Sequence, residues 1–208
     1  MGAVGRDAYG DEALANLGGV DLDVARVDAS TGIALILVDD AGENQIVVVG
    51  GANQELRRVD VSGAVLCQLE IPDAAVASAR AGAEWLCINA APARRLAVQP
   101  DLVVANRYEV DVIGEQEALV AVTLGEKGAV LYEGASEIAR ATAPRVNAVD
   151  GTAAGDAFTA CLVVSHLEGR PWDEALARAC AAGAIAASRF GAQPSLPTAD
   201  EVDAILRG

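Results

Sequence analysis

Aromatic residues are scarce in this chain of 208 residues: two Phe, two Trp and three Tyr make up 3% of it. Any core must therefore be built from Ala, Val, Leu and Ile, which suits close helix-on-sheet packing. Histidine occurs once, as His166. That leaves no material for a histidine-based catalytic triad or a zinc centre, so His166 reads as a surface or packing residue. The four cysteines at 67, 87, 161 and 180 form no Cys-x-x-Cys pair, which excludes a metal cluster or a disulfide framework. Each lies in an apolar segment and reads as a buried, reduced thiol. Cations are half as frequent as acids, 15 against 30, giving a formal net charge of −15. Such a balance argues against nucleic acid or an acidic membrane as partner. A nucleotide site is not excluded, because a few local N–H groups and cations suffice there. No long apolar run marks a signal peptide or a membrane span, which favours the cytoplasm.

What is present alternates between strand and helix signals. The length suits one domain. Gly32 to Val38 and Gln45 to Val49 flank the turn cluster Asp39–Asn44 and read as a hairpin over 32–49. Val65 to Leu69, Trp85 to Asn89, Leu102 to Ala105 and Leu119 to Leu124 are short apolar runs, as expected of strands buried on both faces of a parallel sheet. Ala129 to Tyr132 would pair back on 120–124 across the Gly125–Gly128 turn. Helices are expected over Asp73–Ala83, Ala157–Leu167, Trp172–Arg189 and Ala199–Leu206. Gly191 is placed as the C-cap glycine of the third and Thr198 as the cap of the fourth. The alternation predicts a three-layer α/β/α fold around a mostly parallel central sheet. In open α/β sheets ligands gather at the carboxyl ends of strands. Asn89 with Arg94, Asn106 with Glu109, Thr123 with Gly125, and the turn 150–156 all fall at such ends.

That turn is the most informative stretch. Asp150-Gly151-Thr152-Ala153-Ala154-Gly155-Asp156-Ala157-Phe158 brings small residues and two acids to the start of an apolar helix. Helix N-termini carry unpaired N–H groups and a positive dipole end, so small residues there let a phosphate approach the backbone. Asp156 would then be placed to take a proton from an attacking hydroxyl. By itself the pattern equally suits an ordinary loop with an Asp near a helix start.

The same stretch closely resembles the C-terminal signature of the PfkB family of ribokinase-like carbohydrate kinases. Further blocks in family order extend the likeness across nearly the whole chain. Asn106-Arg107-Tyr108-Glu109 matches the N-x-x-E motif, and Val122-Thr123-Leu124-Gly125-Glu126-Lys127-Gly128 resembles the nucleotide-binding strand and turn. Gly191-Ala192-Gln193-Pro194-Ser195-Leu196-Pro197 resembles the closing loop. Ser30-Thr31-Gly32, Gly42-Glu43-Asn44, Gln68-Leu69-Glu70 and Asn89-Ala90-Ala91-Pro92-Ala93-Arg94 are similar to other family segments.

The resemblance implies ATP-dependent phosphorylation of a sugar hydroxyl, with D-ribose, giving ribose 5-phosphate, as the expected substrate. It makes Asp156 the general base and the backbone of Ala153, Ala154 and Gly155 the anion hole. Asn106, Thr123, Leu124, Gly125, Glu126, Lys127, Gly128, Gly155, Asp156 and Cys180 would face the nucleotide, although Cys180 is equally a helix packing residue. Glu70, with Asp156, would contact the sugar; on its own it reads as a surface acid after a strand. Glu109 would serve Mg²⁺ with Asn106; alone, the pair reads as a solvated helix start. Asp150, Thr152, Ala186, Arg189, Gly191 and Ser195 would surround a monovalent cation, K⁺. The hairpin 32–49 corresponds to the family's lid and is a plausible surface for a homodimer.

The resemblance begins well inside a full family member. The amino-terminal strand with its sugar-binding Asp and the Gly-Gly-Lys-Gly-Ala-Asn motif have no counterpart; Gly50-Gly51-Ala52-Asn53 follows the hairpin and lacks the Lys. Only 13 residues, 106–118, join two expected parallel strands, close to the shortest crossover. The chain is therefore expected to be a single but incomplete ribokinase-like domain over 1–208: a shortened relative, a fragment, or the product of a mis-called start. The alternative function is a catalytically impaired nucleotide- or anion-binding protein of the same fold. A purely structural α/β module would leave the nucleotide blocks without purpose.

Overall fold

The computed structural model describes residues 1–15, 17–38 and 44–207. They form two compact units, one of residues 1–62 and 70–82 and one of residues 63–69 and 83–208.

In the first unit, β1 (Gly2–Gly5) pairs in parallel with β2 (Val24–Val27), and α1 (Ala8–Ala15) lies between them in sequence. Asp7 organises this segment. Its carboxylate accepts the Gly10 N–H at 2.9 Å, the Thr31 N–H at 2.8 Å and the Thr31 hydroxyl at 2.6 Å. These bonds favour the ionised form and hold the Asp7 carboxyl below its usual range. The Ser30-Thr31-Gly32 block is thereby pinned before β3 (Ile33–Val38), which pairs antiparallel with β4 (Asn44–Val49) in a separate sheet. The expected hairpin is present; its turn at 39–43, with most of the Gly42-Glu43-Asn44 block, lies outside the described residues. Helix α2 (Asp73–Gly82) matches the expected helix within one residue.

The second unit is built on a six-stranded sheet. Its strands are β5 (Ala64–Gln68), β6 (Trp85–Asn89), β7 (Leu102–Asn106), β8 (Leu119–Thr123), β9 (Ala129–Glu133) and β10 (Ser136–Ala141), in the order β10-β9-β8-β7-β6-β5. From β5 to β8 neighbours run parallel; β9 and β10 turn back antiparallel. The apolar runs of β6 and β7 are buried along most of their length, as strands covered on both faces must be. Strand β10, Ser-Glu-Ile-Ala-Arg-Ala, is polar and lies at the sheet edge, which is why its sequence gives no strand signal. The compressed link from β7 to β8 is completed by a helix of only five residues, α3 (Glu109–Ile113).

Helices α4 (Ala154–Leu167), α5 (Trp172–Ala187) and α6 (Ala199–Arg207) follow. Helix α5 buries Ala175, Ala179, Ala181, Ala182, Ala184 and Ala186, small residues that let it approach α4 closely. A Cβ on Gly183 would lie 3.1 Å from the Ala154 carbonyl. Leu86, Ile88, Leu102, Leu131, Leu162 and Leu176 are among the largest fully buried side chains. Replacing Leu162 by Ala should cost about 2–5 kcal/mol, the range for a leucine cavity in a packed core. A guanidinium-denaturation curve followed by circular dichroism would show it as a lower midpoint at unchanged slope.

Several expectations need correction. Helix α4 starts at Ala154, three residues earlier than its apolar run suggests, so Gly155 and Asp156 lie inside its first turn. The C-cap of α5 is Ser188; Gly191, at φ +87°, belongs to the loop beyond it. Cys67, Cys87 and Cys180 are buried and free, but Cys161 is only half-buried. His166 has a packing role: it stacks on Trp172 with ring centroids 4.3 Å apart and meets Trp85 at 5.1 Å. Thr198 does cap α6, in a reciprocal box with Glu201. Arg178, buried on α5, bonds the Ser165 hydroxyl and pairs with Asp203 of α6.

Candidate active site

The first turn of α4 is the centre of the second unit's polar residues. Four N–H groups at a helix start have no partner within the helix. Here the Ala154 N–H donates to the Gly151 carbonyl at 3.1 Å, and the Ala157 N–H to the Ala153 carbonyl at 2.9 Å. The N–H groups of Ala153, Gly155 and Asp156 have no acceptor among the described residues. A Cβ built on Gly155 or Gly151 would meet nothing within 4 Å. Open space beside unpaired N–H groups at a positive dipole end is what an anion needs.

Asp156 projects from the same turn. Asp156 is exposed, but partial desolvation at the turn pushes its carboxyl above the ordinary 3.8, because losing water disfavours the charged form. Its Oδ1 accepts a hydrogen bond from Asn89 Nδ2 at 3.3 Å. Asn89 ends β6, and it was not singled out as a partner of Asp156 by sequence. Its position at a strand's carboxyl end and its place in the family-like block 89–94 are the signals that mark it. Arg94, a few residues on, donates to the Leu69 carbonyl just after β5.

Asn106 and Thr123 stand side by side at the carboxyl ends of β7 and β8, where they are register partners. Asn106 and Glu109 form a reciprocal capping box. The Asn106 side chain accepts the Glu109 N–H at 3.0 Å, and Glu109 Oε2 accepts the Asn106 N–H at 2.7 Å. Beyond Thr123, residues Gly125–Lys127 make one 3-10 turn. Gly128, at φ +93°, must be glycine: a Cβ would lie 2.0 Å from the Ala141 carbonyl. A cavity of about 820 Å³ opens here, lined by Thr123, Gly125–Gly128, Arg145, Gly155, Phe158 and Cys180, among others. Leu124 lines a neighbouring cavity with Asn106 and shares Thr123 and Lys127 with this one. Cys180 forms part of the buried wall, and burial pushes its thiol up to about 12. It is an inert wall residue rather than a nucleophile.

Several residues expected around a cation are joined by hydrogen bonds. Asp150 Oδ1 accepts the Thr152 N–H at 2.9 Å and the Thr152 hydroxyl at 2.5 Å, while Oδ2 accepts the Gly191 N–H at 2.9 Å. These bonds hold the Asp150 carboxyl below its usual range. The Asp150 N–H reaches the Ala187 carbonyl at 3.1 Å and the Arg189 N–H the Ala186 carbonyl at 3.1 Å. Ser195 is fully buried and donates to the Ala192 carbonyl at 2.7 Å. The turn 150–152, the carboxyl end of α5 and the loop 191–195 are thus tied together through Asp150, whose carboxylate supplies one formal negative charge. A helix C-terminus carries partial negative charge, so this donor set suits a monovalent hard cation. For Mg²⁺, no cluster of three or more His, Cys, Asp or Glu exists among the described residues. Mg²⁺ is commonly held by one or two carboxylates plus substrate phosphates, which the single Glu109 beside Asn106 fits. Glu70 belongs to the other unit, where its carbonyl accepts from Gln54 at 3.1 Å.

No helix among the described residues is long and apolar enough to cross a membrane. A family model for pfkB family carbohydrate kinases matches residues 1–78 and 64–199. A ribokinase of Schizosaccharomyces pombe is 32% identical, over 98% of this chain and 77% of its own length. A ribokinase of Arabidopsis thaliana is 31% identical, over 100% of this chain and 66% of its own. The crystal structure of ribokinase from Thermotoga maritima superposes with TM-score 0.83 at 30% identity, covering 99% of this chain and 80% of that one. The Arabidopsis thaliana ribokinase structure, complexed with ribose and ATP, superposes with TM-score 0.80 at 28% identity, covering 100% and 81%. The expected three-layer α/β/α class is the fold of these neighbours. With motifs in order, a matching family model and relatives of this identity, the chain belongs to the pfkB family of carbohydrate kinases, phosphotransferases that carry a phosphoryl group from ATP to a sugar hydroxyl.

Proposed function

We propose that this protein phosphorylates D-ribose at its 5-hydroxyl, using ATP, in the cytoplasm. The observation that carries the reading is the first turn of α4, where unpaired N–H groups, open space at Gly155 and the exposed carboxylate of Asp156 lie together. Asp156 takes the proton of the attacking hydroxyl as its oxygen bonds to the terminal phosphorus, and ADP leaves. The free N–H groups of Ala153 and Gly155 stabilise charge on the transferring phosphoryl oxygens, while Ala154 shapes the turn. Asn89 orients Asp156. Asn106, Thr123, Leu124 and Gly125–Gly128 with Cys180 hold the nucleotide, and Glu70 contacts the sugar. Glu109 would hold Mg²⁺, which would neutralise phosphate charge. Asp150, Thr152, Ala186, Arg189, Gly191 and Ser195 would hold K⁺, which would supply positive charge beside the turn.

The test is sugar-dependent ADP release with a panel of pentoses and hexoses. Ribose is expected to give the highest kcat/KM. ATP-dependent thermal stabilisation with no turnover on any sugar would favour the alternative, a nucleotide-binding protein impaired in catalysis. Replacing K⁺ by choline at constant ionic strength should lower kcat severalfold; equal rates in the two salts would remove the cation assignment. Exposed Leu35, Val47, Val48 and Val49 give the β3–β4 hairpin an apolar surface suited to a second copy of the chain, which sedimentation would detect.

A further inference from the structure

The 820 Å³ cavity carries its charged side chains on exposed residues, and its buried wall is almost wholly apolar in side chain. We infer that the donor site recognises the phosphates and accepts purine nucleoside triphosphates with little regard for the base. This rests on assigning that cavity to the donor nucleotide, as proposed above. Among the side chains that line it, Glu126, Lys127 and Arg145 are exposed at its rim. Thr123 is half-buried at the end of β8, beside Asn106. Within the buried wall the sole polar side chain among the described residues is Cys180, 4% exposed, whose Sγ lies 4.0 Å from the Ala141 carbonyl. The remaining wall is alanine, glycine, proline, valine and Phe158. Among the described residues, no Asn, Gln, Ser, Asp or His side chain lines the cavity.

A purine is told from its neighbour by the edge that carries the 6-substituent. The 6-amino group of adenine donates; the 6-oxo group of guanine or hypoxanthine accepts. Sites that bury a hydrogen-bonding group against one edge reject the wrong partner by about 10⁴–10⁵, because the buried group is left unpaired. Apolar walls discriminate far less, about 10–200-fold, since contact area hardly changes between similar ligands. A neutral thiol is a weak donor and a weak acceptor, so it penalises neither edge strongly. The unpaired N–H groups at α4 meet the same phosphates whichever base is attached.

The experiment is equilibrium binding of the Mg²⁺ complexes of ATP, GTP and ITP to the intact chain by calorimetry, with kcat/KM for each at saturating ribose. Dissociation constants within about a hundredfold of one another, and turnover with all three, are expected from apolar recognition. GTP and ITP bound more than a hundredfold weaker than ATP would overturn the inference and leave the kinase reading intact. Binding of none of the three at millimolar concentration would overturn both. Tight, base-indifferent binding without sugar turnover would support the inference while removing the catalytic reading.

Discussion

Asp156→Asn should lower ribose-dependent kcat by about 10²–10⁴-fold, the usual contribution of a positioned general base, while nucleotide binding persists. The substitution keeps shape and removes only the ability to accept a proton. Two further readouts separate a catalytic role from a structural one. Partial desolvation raises the Asp156 pKa above 3.8, and the base must be ionised to act. The acid limb of kcat/KM should therefore lie above the pH of an ordinary aspartate and vanish in the variant's residual activity. Stability moves the other way. With the folded pKa above the unfolded one, the folded state favours the protonated carboxyl. Below the unfolded pKa both states are protonated and no penalty exists; above the folded pKa the cost of the partly desolvated charge is present in full. An asparagine carries no such cost, so at neutral pH the variant should melt no lower than the wild type. A collapse of stability together with activity would mean that Asp156 is structural.

Gly155→Val should give the second largest effect. The added side chain meets no protein atom at its Cβ, and valine is a better helix residue than glycine, so the fold should be no less stable. If the open space beside Gly155 is where the transferring phosphoryl group sits, the isopropyl group occupies it. The donors then lose their target, and kcat/KM should fall by about 10²–10³-fold, comparable to deleting an oxyanion-hole donor. Activity within threefold of wild type would show that the phosphate lies elsewhere.

The fold was largely legible where burial writes itself into sequence. Strand β6 was read residue for residue, Trp85 to Asn89, because a strand covered on both faces is a continuous apolar run. The antiparallel return of β9 followed from the glycines at 125 and 128. Strand β10 escaped because an edge strand needs few apolar residues, and the first unit's β1, α1 and β2 escaped because four-residue strands and an eight-residue helix carry little periodicity. At the site, residue types were legible and their wiring was not. Asn106 and Glu109 could be read as a helix start or a metal site; the capping box shows the first, with Glu109 Oε2 as the oxygen it uses. The start of α4 was placed too late because Gly and Asp are poor helix formers, yet they are tolerated in a first turn. The Asn89–Asp156 bond spans 67 residues, and no local pattern could announce it.

Both tryptophans and the only histidine meet in one stack, Trp85–His166–Trp172. His166 is ten residues along α4 from Asp156, about 15 Å by helical rise, so the stack sits at the opposite end of that helix. All intrinsic tryptophan emission therefore arises from the second unit and far from the phosphate turn. A melt followed by tryptophan fluorescence therefore reports on residues 63–69 and 83–208. Tyrosine emission is needed for the rest: Tyr9 belongs to the first unit, and Tyr108 lines the cavity beside Asn106 and Thr123.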